Sequence, residues 1–333
     1  MQYCGYWVYA LKILCTVALF SFDMQVFRHL PSQQVKPVAL AIGNFDGMHL
    51  GHQALLNKLC EHAAAKNLTP TVMTFEPHPR EFFTPLNAPA RLSNLREKLE
   101  FFEQMGIKKV FVCAFNKRFA AISAPDFLAI LREKLNANTI LVGEDFKFGA
   151  KRAGTVAAFK ANGFDLIDMS RIDFNSERVS STRVRDALFS GNLTLAAQLL
   201  GRHYSISGKV VHGAKRGREL GFPTANVHIK HDRPALTGVY AVKLSVGQLG
   251  GLNAVANLGV RPTIAGIPKL LLEVHVLDFN DDLYGKHVHV EFMHKIREEM
   301  KFESLDALKA QIAKDVEVAK DYFNSVIPAQ AGI

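Results

Sequence analysis

Two histidines three residues apart, His49 and His52, follow an apolar run and are interleaved with glycines in Ile42-Gly43-Asn44-Phe45-Asp46-Gly47-Met48-His49-Leu50-Gly51-His52. Imidazoles at i and i+3 point the same way across a first helical turn, where they can donate hydrogen bonds to a phosphate leaving group. Gly43 and Gly51 permit a tight turn and close approach of a ligand beside Asn44, and a helix N-terminus adds free N–H groups and a partial positive charge. His52 packed on Leu56 is the plainer alternative. Farther along, Arg178, Ser181, Thr182 and Arg185 gather cations and hydroxyls ahead of a helix. That composition suits phosphates, and it also suits a helix cap.

A third group follows. Gly208, Gly213, Gly217 and Gly221 alternate with Lys209, Lys215, Arg216 and Arg218, a loop of backbone donors and cations for a triphosphate. Next comes Pro223-Thr224-Ala225-Asn226, whose hydroxyl and amide oxygens are hard neutral ligands for Mg2+, a cation that takes few protein ligands and keeps phosphate oxygens and water. Asn226 also fits a turn. Glu273 lies among apolar residues of a predicted strand, where an idle carboxylate is costly, so it reads as a general base for a hydroxyl proton or as an ion-pair partner of Arg261 or Lys286.

The elements that must hold these groups change character midway. Val38–Ile42 predicts a buried parallel strand and Gln53 onward a helix; strands are expected again at 71–75, 110–114, 139–142 and 164–167, with helices at 94–105 and 125–135. This βα alternation predicts a doubly wound, Rossmann-like α/β domain with ligand groups at the strand C-termini, just after which His49, Phe75 and Asp145 fall. Residues 182–200 predict linking helices. From Tyr204 the pattern alternates, at 239–244, 252–257 and 271–276, and turn residues punctuate it, which predicts a small antiparallel β-barrel. An amphipathic helix over 304–323, with Leu305, Leu308, Ile312 and Val316 on one face, closes the chain. The division is an apolar extension 1–23, for which Met24 offers an alternative start, an α/β domain 24–203, a barrel domain 204–326 and a tail 327–333.

At 333 residues, 48% hydrophobic and 21% charged, the chain is globular rather than disordered. A formal charge of +9 asks for acidic partners, and the basic residues beside glycines, without interleaved aromatics, favour nucleotide phosphates over nucleic acid. Cys4, Cys15, Cys60 and Cys113 form no CxxC pair, so a zinc site or disulfide scaffold is not expected and a reducing cytoplasm fits. The 1–23 segment is short and interrupted by Lys12, so no membrane span is expected. No GxxxxGK[ST] loop and no HRD or DFG block occurs.

The stretch Gly43–Gln53 resembles the HxGH signature of the nucleotidylyltransferase superfamily, in the form found in bacterial bifunctional riboflavin kinase/FAD synthetases. Five further blocks occur in that family's order: 74–79 (TFEPHP), 142–149 (VGEDFKFG), 178–185 (RVSSTRVR), 221–226 (GFPTAN) and 272–275 (LEVH). The resemblance spans roughly 24–325. It implies two reactions: riboflavin and ATP give FMN and ADP, and FMN and ATP give FAD and pyrophosphate. It further implies that Arg178, Ser181, Thr182 and Arg185 meet the β- and γ-phosphates, that Asp145 meets the nucleotide or flavin unless it is a turn residue, and that Mg2+ binds chiefly through Thr224. Phe75 offers an aromatic surface for flavin, or is simply core, and the stretch 257–263 with Arg261 resembles a loop near the flavin. Two other functions fit the residues, an adenylyltransferase with a regulatory barrel and a nucleic-acid binder; oligomeric state is not legible in the sequence.

Overall fold

All five residues of β2 (Val38–Ile42) are buried, as befits a strand whose sheet carries helices on both faces. The computed structural model describes residues 24–31, 35–167, 172–213, 217, 221–229, 233–247, 249–261 and 269–326. β2 belongs to a six-stranded parallel sheet with β1 (Gln25–Phe27), β3 (Thr69–Glu76), β4 (Lys109–Ala114) and β5 (Ala137–Leu141). After a short hairpin, β6 (Lys147–Phe148) with β7 (Gly154–Thr155), the edge strand β8 (Asp165–Leu166) completes it in the order β1-β4-β3-β2-β5-β8. Alternate residues feed two cores. Val38, Leu40 and Ile42 meet Phe127, Leu131 and Phe159, while Ala39 and Ala41 meet Leu55, Leu59 and Phe102.

The helices over this sheet are α1 (Leu50–Ala65), α2 (Pro79–Phe83), α3 (Leu95–Gln104), α4 (Lys117–Ala120), α5 (Ala124–Ala129) and α6 (Val156–Ala161). α3 starts at a reciprocal cap between Asn94 and Glu97, and Gly106 at φ +83° follows its end. The helix expected over 125–135 is instead α5 followed by a π-turn, Ile130–Lys134, which keeps Phe127, Leu131 and Leu135 in one core. Another short hairpin, β9 (Asp173–Phe174) with β10 (Glu177–Arg178), precedes the linking helices α7 (Ser181–Phe189) and α8 (Leu193–Leu200).

A closed antiparallel barrel follows, made of β11 (Ser205–Val211), β12 (Ala225–His228), β13 (Gly238–Val246), β14 (Leu249–Arg261), β15 (Lys269–Val276) and β16 (His287–Arg297), in the order β11-β12-β15-β14-β13-β16. Val210, Val227, Val242, Leu272, Val274, Val290 and Phe292 fill it, and the apolar sides of α7 and α8 join the same cluster. On the outside, Val316, Ala319 and Phe323 of α9 (Leu305–Val326) cover Val239, Ala241 and Val255. This shifts the expected helix face. Leu305 is exposed, and Asp315 is buried because the Arg297 guanidinium holds its carboxylate through three hydrogen bonds.

Three further expectations give way to the structure. Residues 208–211, read as the start of a glycine loop, are strand β11; Gly208 is there because a Cβ would lie 2.4 Å from the His228 carbonyl oxygen. Residues 257–261, read as loop, finish β14. Phe75 lies inside β3 rather than after it. The extension 1–23, the tail 327–333, Lys215, Arg216, Arg218, residues 262–263 and the side chain of Arg261 fall outside the described residues.

Candidate active site

The turn from β2 into α1 is strained and held from several sides. Phe45, Gly47 and Met48 all have positive φ, a conformation that persists in non-glycine residues only where surroundings enforce it. Here they do. The buried Asp46 carboxylate accepts from Leu92 N (3.1 Å) and Ser93 N (3.0 Å) and pairs with the Arg185 guanidinium. Ser181 Oγ donates to Asp46 O at 2.8 Å, and Gln53 and Arg202 donate to the carbonyls of Met48 and Gly47. The loop thus delivers His49 as the N-cap of α1, with its ring stacked on that of His52.

Both imidazoles are neutral at physiological pH. Burial lowers His49 to about 4 against the opposing pull of Asp46, and burial with His49 and Lys98 nearby lowers His52 well below the usual value. His49 Nδ1 accepts the His52 N–H (3.4 Å), so the ring proton sits on Nε2 and remains available as a donor. Asn44 Oδ1 and His52 Nδ1 are buried with no hydrogen-bond partner, which suits a site completed by a ligand.

These residues line one cleft of about 1190 Å³ together with Gly43, Gly51, Phe75, Asp145, Arg178, Ser181 and Thr182. The lining also carries Arg80, Lys147, Lys151, Arg152 and Arg178 against Glu144 and Asp145, an excess of cations that attracts anions. Arg178 donates to Asp145 Oδ2 at 2.8 Å across the mouth. Aromatic rings line the same cleft: Phe75 is 8% exposed and backs Phe115 and Phe119, while Phe83 is 62% exposed. Arg185 does not line the cleft; its guanidinium is taken by Asp46 and the Ala90 carbonyl. Residue spacing alone gives Asp46, Arg202 and Phe83 no role, although Asp46 stands inside the quoted motif and an aromatic next to a Pro-rich turn is a usable signal for Phe83.

The second constellation lies on the outer face of the barrel. Leu272 and Val274 point inward, so Glu273 points outward, half-buried between its register partners Asn226 on β12 and Asn257 on β14. Asn226 touches Gly213, where a Cβ would fall 2.3 Å from its amide nitrogen, and Thr224 Oγ1 would be 3.0 Å from a Cβ on Gly217. His275 donates from Nδ1 to the Pro223 carbonyl (2.8 Å) and fixes the strand's entry into Thr224. Thr224, Asn226, Glu273 and Gly213 are brought together; Gly221 has open space about it. An amide oxygen, a hydroxyl and a carboxylate form a hard oxygen set, which fits Mg2+ and does not favour a softer metal.

The FAD synthetase family model matches residues 32–183, and the Riboflavin kinase family model residues 200–323. The bifunctional riboflavin kinase/FMN adenylyltransferase of Haemophilus influenzae is 46% identical over 309 residues, 91% of this chain and all of that protein. The protein of the same name from Escherichia coli K12 is 47% identical over 296 residues, 87% of this chain and 94% of its own. In structure the chain is similar to a Streptococcus pneumoniae crystal structure named macrolide-efflux protein, with a TM-score of 0.73 and 30% identity over 90% of this chain and 99% of that one. With a relative this similar matched end to end and both halves matched in order, the chain belongs to the bifunctional riboflavin kinase/FMN adenylyltransferase family.

Proposed function

We propose that this chain phosphorylates riboflavin to FMN in the barrel domain, 204–326, and adenylylates FMN to FAD in the α/β domain, 24–203, using ATP in both steps. The observation that carries the adenylylation reading is one cleft lined by two stacked, neutral imidazoles, by an excess of cations and by phenylalanine rings, which puts donors for a triphosphate and apolar surface for a flavin in the same cavity. There an FMN phosphate oxygen attacks the α-phosphorus of ATP and pyrophosphate leaves. His49 Nε2–H and His52 donate to the triphosphate, the α7 N-terminus with Ser181 and Thr182 meets its distal end, and Arg178 offsets the charge that develops on it. Arg185 acts through Asp46, keeping the loop in place. Phe83, Phe115 and Phe119 hold the isoalloxazine ring.

In the barrel, Glu273 takes the proton of the ribityl 5′-hydroxyl as that oxygen attacks the γ-phosphorus and ADP leaves, a contribution of about 10²–10⁴ in rate. Thr224 and Asn226 would hold Mg2+, which would neutralise charge on the phosphate oxygens. Gly213 and Gly221 border the nucleotide. No described helix is long and apolar enough to cross a membrane, and a reducing cytoplasm suits the free thiols of Cys60 and Cys113. Small molecules, not nucleic acid, are the partners.

Chromatography of flavins formed from riboflavin, ATP and Mg2+ tests the division of labour. His49→Ala should stop at FMN, whereas Glu273→Ala should make no FMN yet still convert supplied FMN to FAD. Equal loss of both conversions in both variants would sink it.

A further inference from the structure

Helix α3 belongs to the α/β sheet but lies across the outside of the barrel. Its cap residue Asn94 donates to Ser207 O and Ser207 Oγ (3.2 Å each), and the Glu97 carboxylate accepts from Ser207 N. One turn on, Glu100 meets two histidines of β16. Val288 and Val290 point into the barrel, so His287 and His289 share the opposite face. One ligand atom from each of Glu100, His287 and His289 falls within 4.8 Å of the others, and Glu100 Oε2 lies 3.5 Å from His289 Nε2, long for a hydrogen bond.

The carboxylate is oriented for more than that contact. Glu100 Oε1 accepts from Arg96 Nε at 2.8 Å, which leaves Oε2 turned toward the imidazoles. An outer partner that fixes one oxygen and frees the other is the usual support of a ligating carboxylate. Lys209, the register neighbour of His287 on β11, is exposed, and the neighbours of His289 are the neutral Ser207 and Ser245.

We propose that Glu100, His287 and His289 form an inter-domain site for a borderline divalent cation of the Zn2+ class, with two imidazole nitrogens, one carboxylate oxygen and water as ligands. Two nitrogens select against Mg2+, so this site is separate from the all-oxygen set around Thr224. Because the ligands come from both halves of the chain, loading clamps α3 to β16 and stabilises the folded protein by mass action.

Zn2+ alone, titrated calorimetrically into the full chain in excess Mg2+, tests this, with thermal melts alongside and visible absorption of a Co2+-loaded sample as a readout of nitrogen ligation. Wild type should bind one equivalent and melt higher when loaded. Glu100→Gln, which keeps the size and an acceptor for Arg96, and His289→Ala should each weaken Zn2+ at least tenfold and abolish the thermal shift, with FMN formation in Mg2+ unchanged. Wild type binding no more tightly than His289→Ala would overturn the site. Wild-type affinity in Glu100→Gln would overturn the bridge between domains.

Discussion

The rings of His49 and His52 stack with centroids 3.7 Å apart and planes 18° from parallel. Two protonated imidazoles would not sit so close in a buried cleft, and both are held neutral, chiefly by burial. In the proposed adenylylation they would therefore act on a departing phosphate by directed N–H donation rather than by charge.

Neutrality has a pH signature. The folded pKa of His49, about 4, lies below its ordinary 6.5, so its contribution to stability is complete above pH 6.5 and is lost as pH falls toward 4. That loss is about 3 kcal/mol by pH 4. Urea unfolding across this range should show His49→Asn with a shallower acid decline than wild type by about that amount; parallel declines would contradict the assignment.

The two arginines nearest the motif separate by function. Arg185 is nearly enclosed against the buried Asp46, so Arg185→Ala should cost about 3–5 kcal/mol by leaving that carboxylate uncompensated. Arg178 pairs with an Asp145 that is 85% exposed, a contact worth about 0–1 kcal/mol. Arg178→Ala should leave the denaturation midpoint near wild type and raise KM for ATP in the FMN-consuming step. Equal destabilisation by the two would reject the distinction.

Two glycines in the barrel predict opposite readouts. In Gly208→Ala the Cβ meets the His228 backbone, so the barrel should lose stability, seen as a lower melting temperature. In Gly213→Ala the Cβ meets the Asn226 amide, so riboflavin phosphorylation should drop at least tenfold while FMN adenylylation stays intact. If Gly213→Ala spares phosphorylation, Asn226 is not part of that site.

Arg202 ties the linking segment to the histidine loop. Its guanidinium donates to Gly47 O (3.0 Å) and Met48 O (3.3 Å) and stacks over Phe101 at 4.0 Å. Arg202→Ala should cost about 2–3 kcal/mol and cut FAD formation about tenfold, with FMN formation from riboflavin little changed. Arg202→Lys should not rescue, since one ammonium cannot reproduce a planar fork that also stacks. Wild-type FAD formation in Arg202→Ala would remove the positioning role.

Local pattern was enough for much of this. The uninterrupted apolar run 38–42 reads as a strand covered on both faces, helix periodicity over 94–105 bounded a helix to within a residue at each end, and i, i+3 spacing put two imidazoles together. These are short-range consequences of backbone geometry. The register that sets Glu273 between Asn226 and Asn257 is not, because it depends on which strands pair when the barrel closes. Nor could spacing divide Arg178 from Arg185, one at the cleft mouth and the other spent on Asp46 139 residues away. Long-range partners compete for each charged side chain, and burial arbitrates between them. That arbitration happens only in the packed molecule.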